Sequence, residues 1–523
     1  MDAQHTGAQT APADLDDRYD VVIYGATLAG IMAAVRLRLR GLRSLILEPT
    51  GHVGGIVAGG LVKSDGPNVD EAHAGLTRSR FFGGIAAEYG PDGAPFQLNG
   101  AQYLFEPRVA ERVASRLLTE AQATVLLRHR IDGPADVEVT GRRITAIRTA
   151  DGWHRARFFI DASYEGDLMA AAGVPYTVGR EPASRYDEPY AGFQPVQAYR
   201  RGPFRPNTLY PVGSAPRMAA GDGDDKVQAY NFRGVLTREA ERLPFPKPAD
   251  YDPKRYLYLR QLIEQRGIAG LSSIVTHTAL LPNGKYQTNQ ALFIGFDLPG
   301  ASWAYPDGSW SRREEVIAEQ VRWHQGMLYW LANDPSLPPS FRADAQTFGL
   351  PTDEFLDSPY GPGFPHALYI REGRRMVGAK VLTQHDLRKP NNTTATPVCC
   401  WKYGMDCHVV QYYAEGDDTI VGEGTLSGTE SNPPVDLYQI PAECLFPAAG
   451  GIENIAVPLC FSASHVGYSS PRMEPNYGML GEACGELAAQ SIRTGQPVQD
   501  YRYPELAAAL TEHGSVLDLP GLR

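Results

Sequence analysis

Tyr19 to Tyr24 read YDVVIY, an apolar, β-branched run that enters a glycine turn. Such a run predicts a strand buried on both faces of a parallel sheet. Gly25-Ala26-Thr27-Leu28-Ala29-Gly30 follows, then IMAAVRLRLRG, whose apolar residues keep helical spacing until Gly41 stops them. Leu45 to Leu47 predict a second strand that ends in Glu48. The same pattern predicts a helix from Phe105 to Ala121 and a strand over Thr124-Val125-Leu126-Leu127. Val137 to Val139 and Arg143 to Ile147 flank Thr140-Gly141-Arg142, which predicts a β-hairpin. Ala156 to Asp161 predict a return to the main sheet, Ser311 to Ala332 a long helix, Ile455 to Leu459 a last strand and Asn476 to Arg493 a last long helix.

The first of these elements define a nucleotide site. Strand, glycine turn, helix, strand and acid follow one another within about thirty residues, the layout of a Rossmann-type dinucleotide unit. Gly25 permits the tight turn, and Gly30 lets the helix pack close to the strand. The helix N-terminus, with Leu28 and Ala29, offers N–H groups and a partial positive charge to a pyrophosphate. Glu48 stands 18 residues after Gly30, where a carboxylate takes the ribose hydroxyls of an adenosine. Thr27 replaces the usual middle glycine and keeps a hydroxyl and an N–H to donate. After Glu48 comes Pro49-Thr50-Gly51-His52-Val53-Gly54-Gly55, and then more glycine. A glutathione-reductase-like flavoprotein has an acid followed by such a Gly-Gly stretch, which wraps FAD, so Pro49, Gly54 and Gly55 join the expected cofactor contacts.

The expected fold is therefore α/β: a glutathione-reductase-like FAD-binding domain with a large inserted α+β substrate cap. Residues 1–18 are expected to be a disordered leader. Residues 19–182 and 437–495 are read as the two parts of the FAD domain and 183–436 as the cap, rich in Pro, Tyr and Trp. Residues 496–523 are read as a tail with one short helix and a coil. No internal repeat is visible.

Composition narrows the partners. The 523 residues carry a formal net charge of -11, which argues against a nucleic-acid binder and its basic face. No apolar run approaches the roughly 20 residues that span a bilayer, and the polar N-terminus lacks the apolar core of a signal peptide. The expected compartment is the cytoplasm. All six cysteines lie in the last quarter of the chain, without CxxC pairs or zinc spacing, and no metal is expected. The adjacent Cys399 and Cys400 read as buried thiols, with a redox dithiol as the alternative.

Blocks along the chain carry a family resemblance. YDVVIYGATLAGIMAAV and LILEPTGHVGGIVAGGL resemble the bacterial FAD-dependent oxidoreductases, some of them loosely described as xanthan-lyase-like. Phe158-Phe159-Ile160-Asp161-Ala162-Ser163-Tyr164-Glu165-Gly166-Asp167-Leu168 resembles that family's F-I-D-A-[ST]-Y-E-G-D-L signature. Leu368 to Met376 (LYIREGRRM), the pair Asp406 and His408, Ser462 to Val466 (SASHV) and Arg472 to Pro475 (RMEP) resemble further blocks. Between Gly60 and Gly84 this chain departs from the family's shorter passage, which puts borrowed substrate assignments in question.

The resemblance implies that the flavin meets the start of the last long helix, where a helix dipole stabilises negative charge on reduced flavin. It puts His465, Arg472 and Glu474 near the chemistry, with Gly481 further along that helix against the cofactor. His465 could accept a substrate proton, since an unperturbed histidine pKa near 6.5 suits a base; a structural hydrogen bond is the alternative. Arg472 and Glu474 read equally as an ion pair. Arg371 and Arg375 read as anchors of flavin or substrate, or as members of an internal network with Glu372 and Arg374. Asp161 and Ala162 sit at a strand's C-terminal edge, where α/β ligands bind. Asp406 and His408 would share a strand face as a catalytic or substrate-positioning pair, with His408 a second candidate base. His52 and His73 are weighed for covalent flavin attachment. Trp303, Tyr305, Trp323 and Trp330 could stack on a substrate ring or fill the cap's core.

The expected activity is hydride transfer from a polar small molecule (an alcohol, sugar, cyclitol or natural-product intermediate) to FAD. Oxygen, a quinone or another protein would accept the electrons, because no second glycine-rich nucleotide unit is visible. The alternatives are reduction of an activated C=C bond and a non-catalytic redox module. Homo-oligomer formation is left open.

Overall fold

A computed structural model describes residues 19–90, 97–98, 102–195, 198–201, 209–275, 280–290, 294–426 and 434–522. The leader expected over residues 1–18 lies outside the described residues. The first unit is strand β1 (Val21–Tyr24), helix α1 (Leu28–Leu39) and strand β2 (Ser44–Glu48). Helix α2 (Pro107–Glu120) leads into β3 (Thr124–Leu127). An antiparallel meander follows, β4 (Val137–Thr140), β5 (Arg143–Thr149) and β6 (Gly152–Arg155), then β7 (Phe158–Asp161). The last strand of the main sheet, β8 (Ile455–Ala456), comes back from almost 300 residues later. The order is β8-β7-β1-β2-β3, with every pair parallel.

The period-2 alternation of β1, β2 and β7 explains why these runs are apolar throughout. Val21, Ile23, Ile46, Phe158 and Ile160 point into one buried cluster, with α1, α2 and the last long helix α4 (Glu474–Thr494). Val22, Tyr24, Leu45, Leu47 and Phe159 point into a second, against Ile144 and Ile147 of the meander. Both faces of the sheet are covered, as a parallel sheet requires.

Helix α4 lies across α1. A Cβ on Gly481 would stand 2.2 Å from the carbonyl oxygen of Ala29, so the two backbones touch there. That is where the structure places Gly481: it lets α4 approach α1, and its Cα faces the helix rather than a cavity.

The segment between β7 and β8 has its own core. Helix α3 (Trp310–Asn333) is capped by Ser309, whose hydroxyl accepts from the Arg312 N–H, and it buries Trp323 and Trp330 among Tyr230, Tyr256 and Tyr258. These two tryptophans are core. Trp303 is half-buried, with Lys226 over its ring, and Tyr305 donates to Glu165 at 2.9 Å. After α4 a short helix, Tyr503–Thr511, packs on it and the chain ends in a coil. No helix among the described residues is long and apolar enough to cross a membrane.

Candidate active site

The turn after β1 is shaped by close approach. Gly25 has φ +106°, and a Cβ there would lie 2.5 Å from the carbonyl oxygen of Ala162. Gly30 packs equally close, with Ala162 beneath it. Thr27 is the N-cap of α1; its hydroxyl donates to Ala162 O at 2.8 Å and accepts weakly from Gly30 N–H at 3.4 Å. The hydroxyl expected to serve a pyrophosphate therefore ties the turn to the end of β7. Leu28 and Ala29 are wholly buried in the first turn of α1.

Glu48 closes the other side. One of its oxygens accepts from Ala26 N–H at 2.7 Å and the other from Thr50 N–H at 2.8 Å. Burial raises its pKa above the usual value, against these bonds. Each carboxylate oxygen keeps a second lone pair for a ribose hydroxyl. Asp161 serves the backbone instead. It accepts from Ser163 N–H and hydroxyl and from Met169 N–H, so its carboxylate caps the turn beyond β7. Burial pushes it up to about 6.

A cavity of about 150 Å³ opens at this strand edge. Gly25, Thr27, Glu48, Pro49, Gly55 and Tyr164 line one side, and Tyr305, Trp310, Tyr360 and His366 the other. Gly54 lies just outside it, and its N–H donates to Ala26 O at 2.7 Å, which lays the Gly-Gly segment along the nucleotide turn. Tyr164 links this cavity to the next: it accepts from Ile56 N–H and donates to Glu474 at 2.8 Å.

The second cavity, of about 40 Å³, is lined by Leu61, Lys63, Ser64, Asp65, Arg233, Asn289, Tyr369, Asp406, His408, Arg472, Met473 and Glu474. Glu474 opens α4 and is 2% exposed; its Oε2 has no partner. Burial raises its pKa to about 8, against the hydrogen bond from Tyr164. Arg472 turns away from it. The guanidinium donates to Asp406 twice, at the carbonyl and the carboxylate, both at 2.8 Å, so the expected Arg472–Glu474 ion pair is replaced by Arg472–Asp406.

His408 stands between two carboxylates. Its Nδ1 is 2.5 Å from Asp297 Oδ2, and its Nε2 is 3.5 Å from Asp406 Oδ1. Asp406 and His408 do not share a strand face, because residues 402–410 form an extended loop; a chain of ion pairs brings them together instead. Asp297 in turn accepts from Arg371 at 3.0 Å and from Asn231 at 2.8 Å. Burial opposes its charge, but Arg371 and His408 hold it below the usual carboxylate range.

His465 opens on neither cavity. It is 2% exposed, with Nδ1 2.9 Å from Glu372 and Nε2 3.5 Å from the Cys407 sulfur. Burial opposes its charge, yet the Glu372 carboxylate prevails and raises its pKa to about 10. A group held protonated and walled in is placed to stabilise, not to take a proton. Glu372 also accepts from Arg375, which donates as well to Glu181 at 2.8 Å and to the Gly179 and Ala463 carbonyls at 2.7 and 3.2 Å. Arg374 bonds Asp167 and Asp307. Arg371 and Arg375 thus belong to an internal network, the alternative to anchoring flavin or substrate.

The remaining candidates separate cleanly. His52 pairs with Glu111 at 3.0 Å and stacks on His366, with ring centroids 3.7 Å apart, at the first cavity's wall. His73 is wholly buried and bonded to the Tyr103 hydroxyl, and burial lowers its pKa to about 3. Cys399 and Cys400 are buried free thiols on one strand; alternation sends Cys399 towards Asn476 and Cys400 into another cluster with Ala72 and Leu522. Glu106, Asp353 and Glu354 lie close enough together for a cation, but the Lys285 ammonium sits among them at 2.5–2.9 Å.

Spacing and motif do not single out Asp297, Arg233, Lys63, Ser64 or Asn289. Tyr164 does carry a signal: it is the aromatic just beyond the end of β7, in the block Phe158 to Leu168. Arg233, Asn289 and Asp297 come from the inserted segment, where no spacing marks them.

The residues fit a dinucleotide: a turn too tight for any Cβ, a helix N-terminus facing it, a carboxylate at the ribose position, and a cavity at the strand edge whose Tyr164 hydrogen-bonds Glu474 of the next. An α/β enzyme with a parallel sheet and this site is a nucleotide-cofactor oxidoreductase. The chain belongs to the FAD dependent oxidoreductase family, whose model matches residues 20–510, and FAD is its cofactor. No curated protein matches the chain significantly. Among solved structures it is similar to OxyS anhydrotetracycline hydroxylase from Streptomyces rimosus, at 21% identity over 36% of this chain and 39% of that one, with a TM-score of 0.24. L-amino acid deaminase from Proteus vulgaris aligns at 15% identity over 36% of this chain and 56% of that one, TM-score 0.24. Halogenase PltM in complex with phloroglucinol and FAD aligns at 19% identity over 30% and 37%, TM-score 0.23. The aligned part spans well under two thirds of these chains.

Proposed function

We propose that the protein oxidises an alcohol group of a polar small molecule, with His408 as the base. Sheet and meander are read as a glutathione-reductase-like form of the Rossmann domain, made from residues 19–182 and 437–495, with 183–436 as the substrate cap. The observation that carries the reading is His408, held by Asp297 at 2.5 Å and facing a cavity that also contains the start of α4. Asp297 fixes the imidazole by its Nδ1, and Nε2 stands 3.5 Å from Asp406, which lines the same cavity. Nε2 takes the hydroxyl proton as the carbon is oxidised. Bound FAD supplies the two-electron acceptor for the hydride that leaves that carbon. Glu474, kept neutral by burial at pH 7, adds no negative charge where electrons arrive. Electrons would pass on to oxygen, a quinone or another protein, and the protein would work in the cytoplasm.

The test is anaerobic. Purified protein is expected to be yellow, and an alcohol or sugar panel to contain a compound that bleaches it. His408→Ala should keep its FAD and slow that bleaching by about 10²- to 10⁴-fold, the range of a lost general base. An unchanged rate in a fully flavinated variant removes His408 from the mechanism. Reduced enzyme that is reoxidised by an enone, with no alcohol able to reduce it, would instead favour C=C reduction.

A further inference from the structure

We propose that the cavity beside His408 is built for an anionic alcohol, a hydroxy acid, whose carboxylate is bound by Arg233. The alcohol half rests on the oxidation reading above; carboxylate recognition stands on Arg233 alone.

Arg233 immediately precedes the strand Gly234–Thr237 of the inserted segment and is 5% exposed. Its Nε donates to the Thr288 carbonyl at 3.1 Å and its Nη2 to the Gln287 amide oxygen at 3.0 Å. Both acceptors are neutral. The Tyr369 ring lies under it, 5.8 Å from centroid to guanidinium carbon. No carboxylate among the described residues forms an ion pair with it, whereas the other two cations of the cavity are matched: Lys63 by Asp65 at 3.2 Å and Arg472 by Asp406 at 2.8 Å.

Asp65 and Asp297 act on its charge from a distance, but neither pairs with it, and a buried cation with no direct ion pair is costly unless a ligand brings one. The guanidinium fork matches a carboxylate in plane and in charge. Two further polar atoms in the same cavity are unpartnered, the Ser64 hydroxyl and Asn289 Oδ1, and Ser64 is wholly buried. The Ser64 hydroxyl can donate to the second carboxylate oxygen. The cavity's 40 Å³ is room for about three waters, the scale of one carboxylate group and its neighbouring carbon. One unmatched cation fits a monoanionic group better than a phosphate. The cofactor's own phosphates have their place elsewhere, at the α1 N-terminus in the other cavity.

The experiment uses FAD-loaded protein and titrates the small monoanionic hydroxy acids glycolate and lactate against lactamide and propane-1,2-diol. Binding is read from flavin absorbance perturbation and melting temperature, without turnover. Hydroxy acids are expected to bind, and the neutral analogues to bind at least about 10-fold more weakly, the loss of one charge-assisted contact. Arg233→Gln should lose roughly 10- to 100-fold in hydroxy-acid affinity, the loss of a charge-assisted hydrogen-bonded pair, while its weak affinity for lactamide stays. If Arg233→Gln loses flavin, Arg233→Lys keeps the charge but not the fork, and should fall between wild type and no binding. Acids that bind no better than their amides, or an Arg233→Gln affinity equal to wild type, overturn the proposal. Tight acid binding with no flavin reduction by any alcohol overturns the oxidation reading and leaves the carboxylate site standing.

Discussion

Single side chains carry most of what this site can do, and their demands on pH differ. His465 has its pKa raised to about 10 by Glu372, so its contribution to stability is fully present below the unfolded value of 6.5 and is lost as pH rises through 10. Replacing one member of a buried pair strands the other and costs about 3–5 kcal/mol. His465→Ala should therefore lose several degrees or more of melting temperature and shed flavin before any catalytic effect can be read; a variant with wild-type stability and slow flavin reduction would return His465 to the chemistry. Glu474 works over a different range. Its pKa is raised to about 8 by burial, so the unfolded chain gives up its proton near 4.5 while the folded chain holds it. Stability falls between those two pH values. Glu474→Gln should flatten the fall of melting temperature from pH 5 to pH 8, and an unchanged slope would deny that Glu474 is protonated in the fold. Glu48→Ala removes the acceptor of both Ala26 and Thr50, and with it the carboxylate expected to take the ribose hydroxyls. FAD affinity should drop by one to two decades, at about 1.5–3 kcal/mol per charged hydrogen bond, measured by flavin fluorescence on titration.

Between elements, the contact of α1 with α4 sets where the flavin end of the site begins. A Cβ on Gly481 would meet the Ala29 backbone, and one on Gly485, a turn further on, would meet the Ala33 carbonyl and the Arg36 side chain, so the two helices approach closely at these glycines. The position of Glu474 at the start of α4 depends on that contact. Gly481→Ala puts a methyl against a carbonyl and should cost about 1–3 kcal/mol by overpacking, seen as a lower urea midpoint. A neutral outcome would mean that α4 can slide along α1. Local signals suffice to place the start of α3, where Ser309 caps a long amphipathic run. The Asp406–His408 loop is the contrary case: its spacing fits a strand, but backbone bonds to Ser469 and Leu426 and the ion pairs of His408 with Asp297 and of Arg472 with Asp406 hold it as a loop.

In the whole molecule, charge networks join the inserted segment to the sheet. Arg313 of α3 binds Asp167, just beyond β7, through two bonds of 2.7 Å, and Arg374 binds the same carboxylate. Arg313 is 2% exposed. Arg313→Met should lower stability and loosen the seam between the two cores, so that urea unfolding followed by tryptophan fluorescence and by flavin release no longer coincides. Coincident transitions in that variant would show that apolar packing alone couples the two.

The strands of the first unit, the hairpin, α3 and the nucleotide turn are legible in the sequence because each depends on neighbours in the chain. An unbroken apolar run is a buried parallel strand wherever it folds, and a turn without room for a Cβ needs glycine at Gly25. Glu48 is legible for the same reason, at the end of its strand. The exchange of partners is not. Sequence adjacency suggests Arg472 with Glu474 and leaves His465 as the base; folding gives Arg472 to Asp406, His465 to Glu372, and His408 to an aspartate more than a hundred residues away. Long-range ion pairs form where burial brings opposite charges together, and burial depends on how segments pack, which no local spacing encodes. Arg233, with two neutral acceptors and no ion pair among the described residues, becomes visible only once the charges around it have been matched in three dimensions.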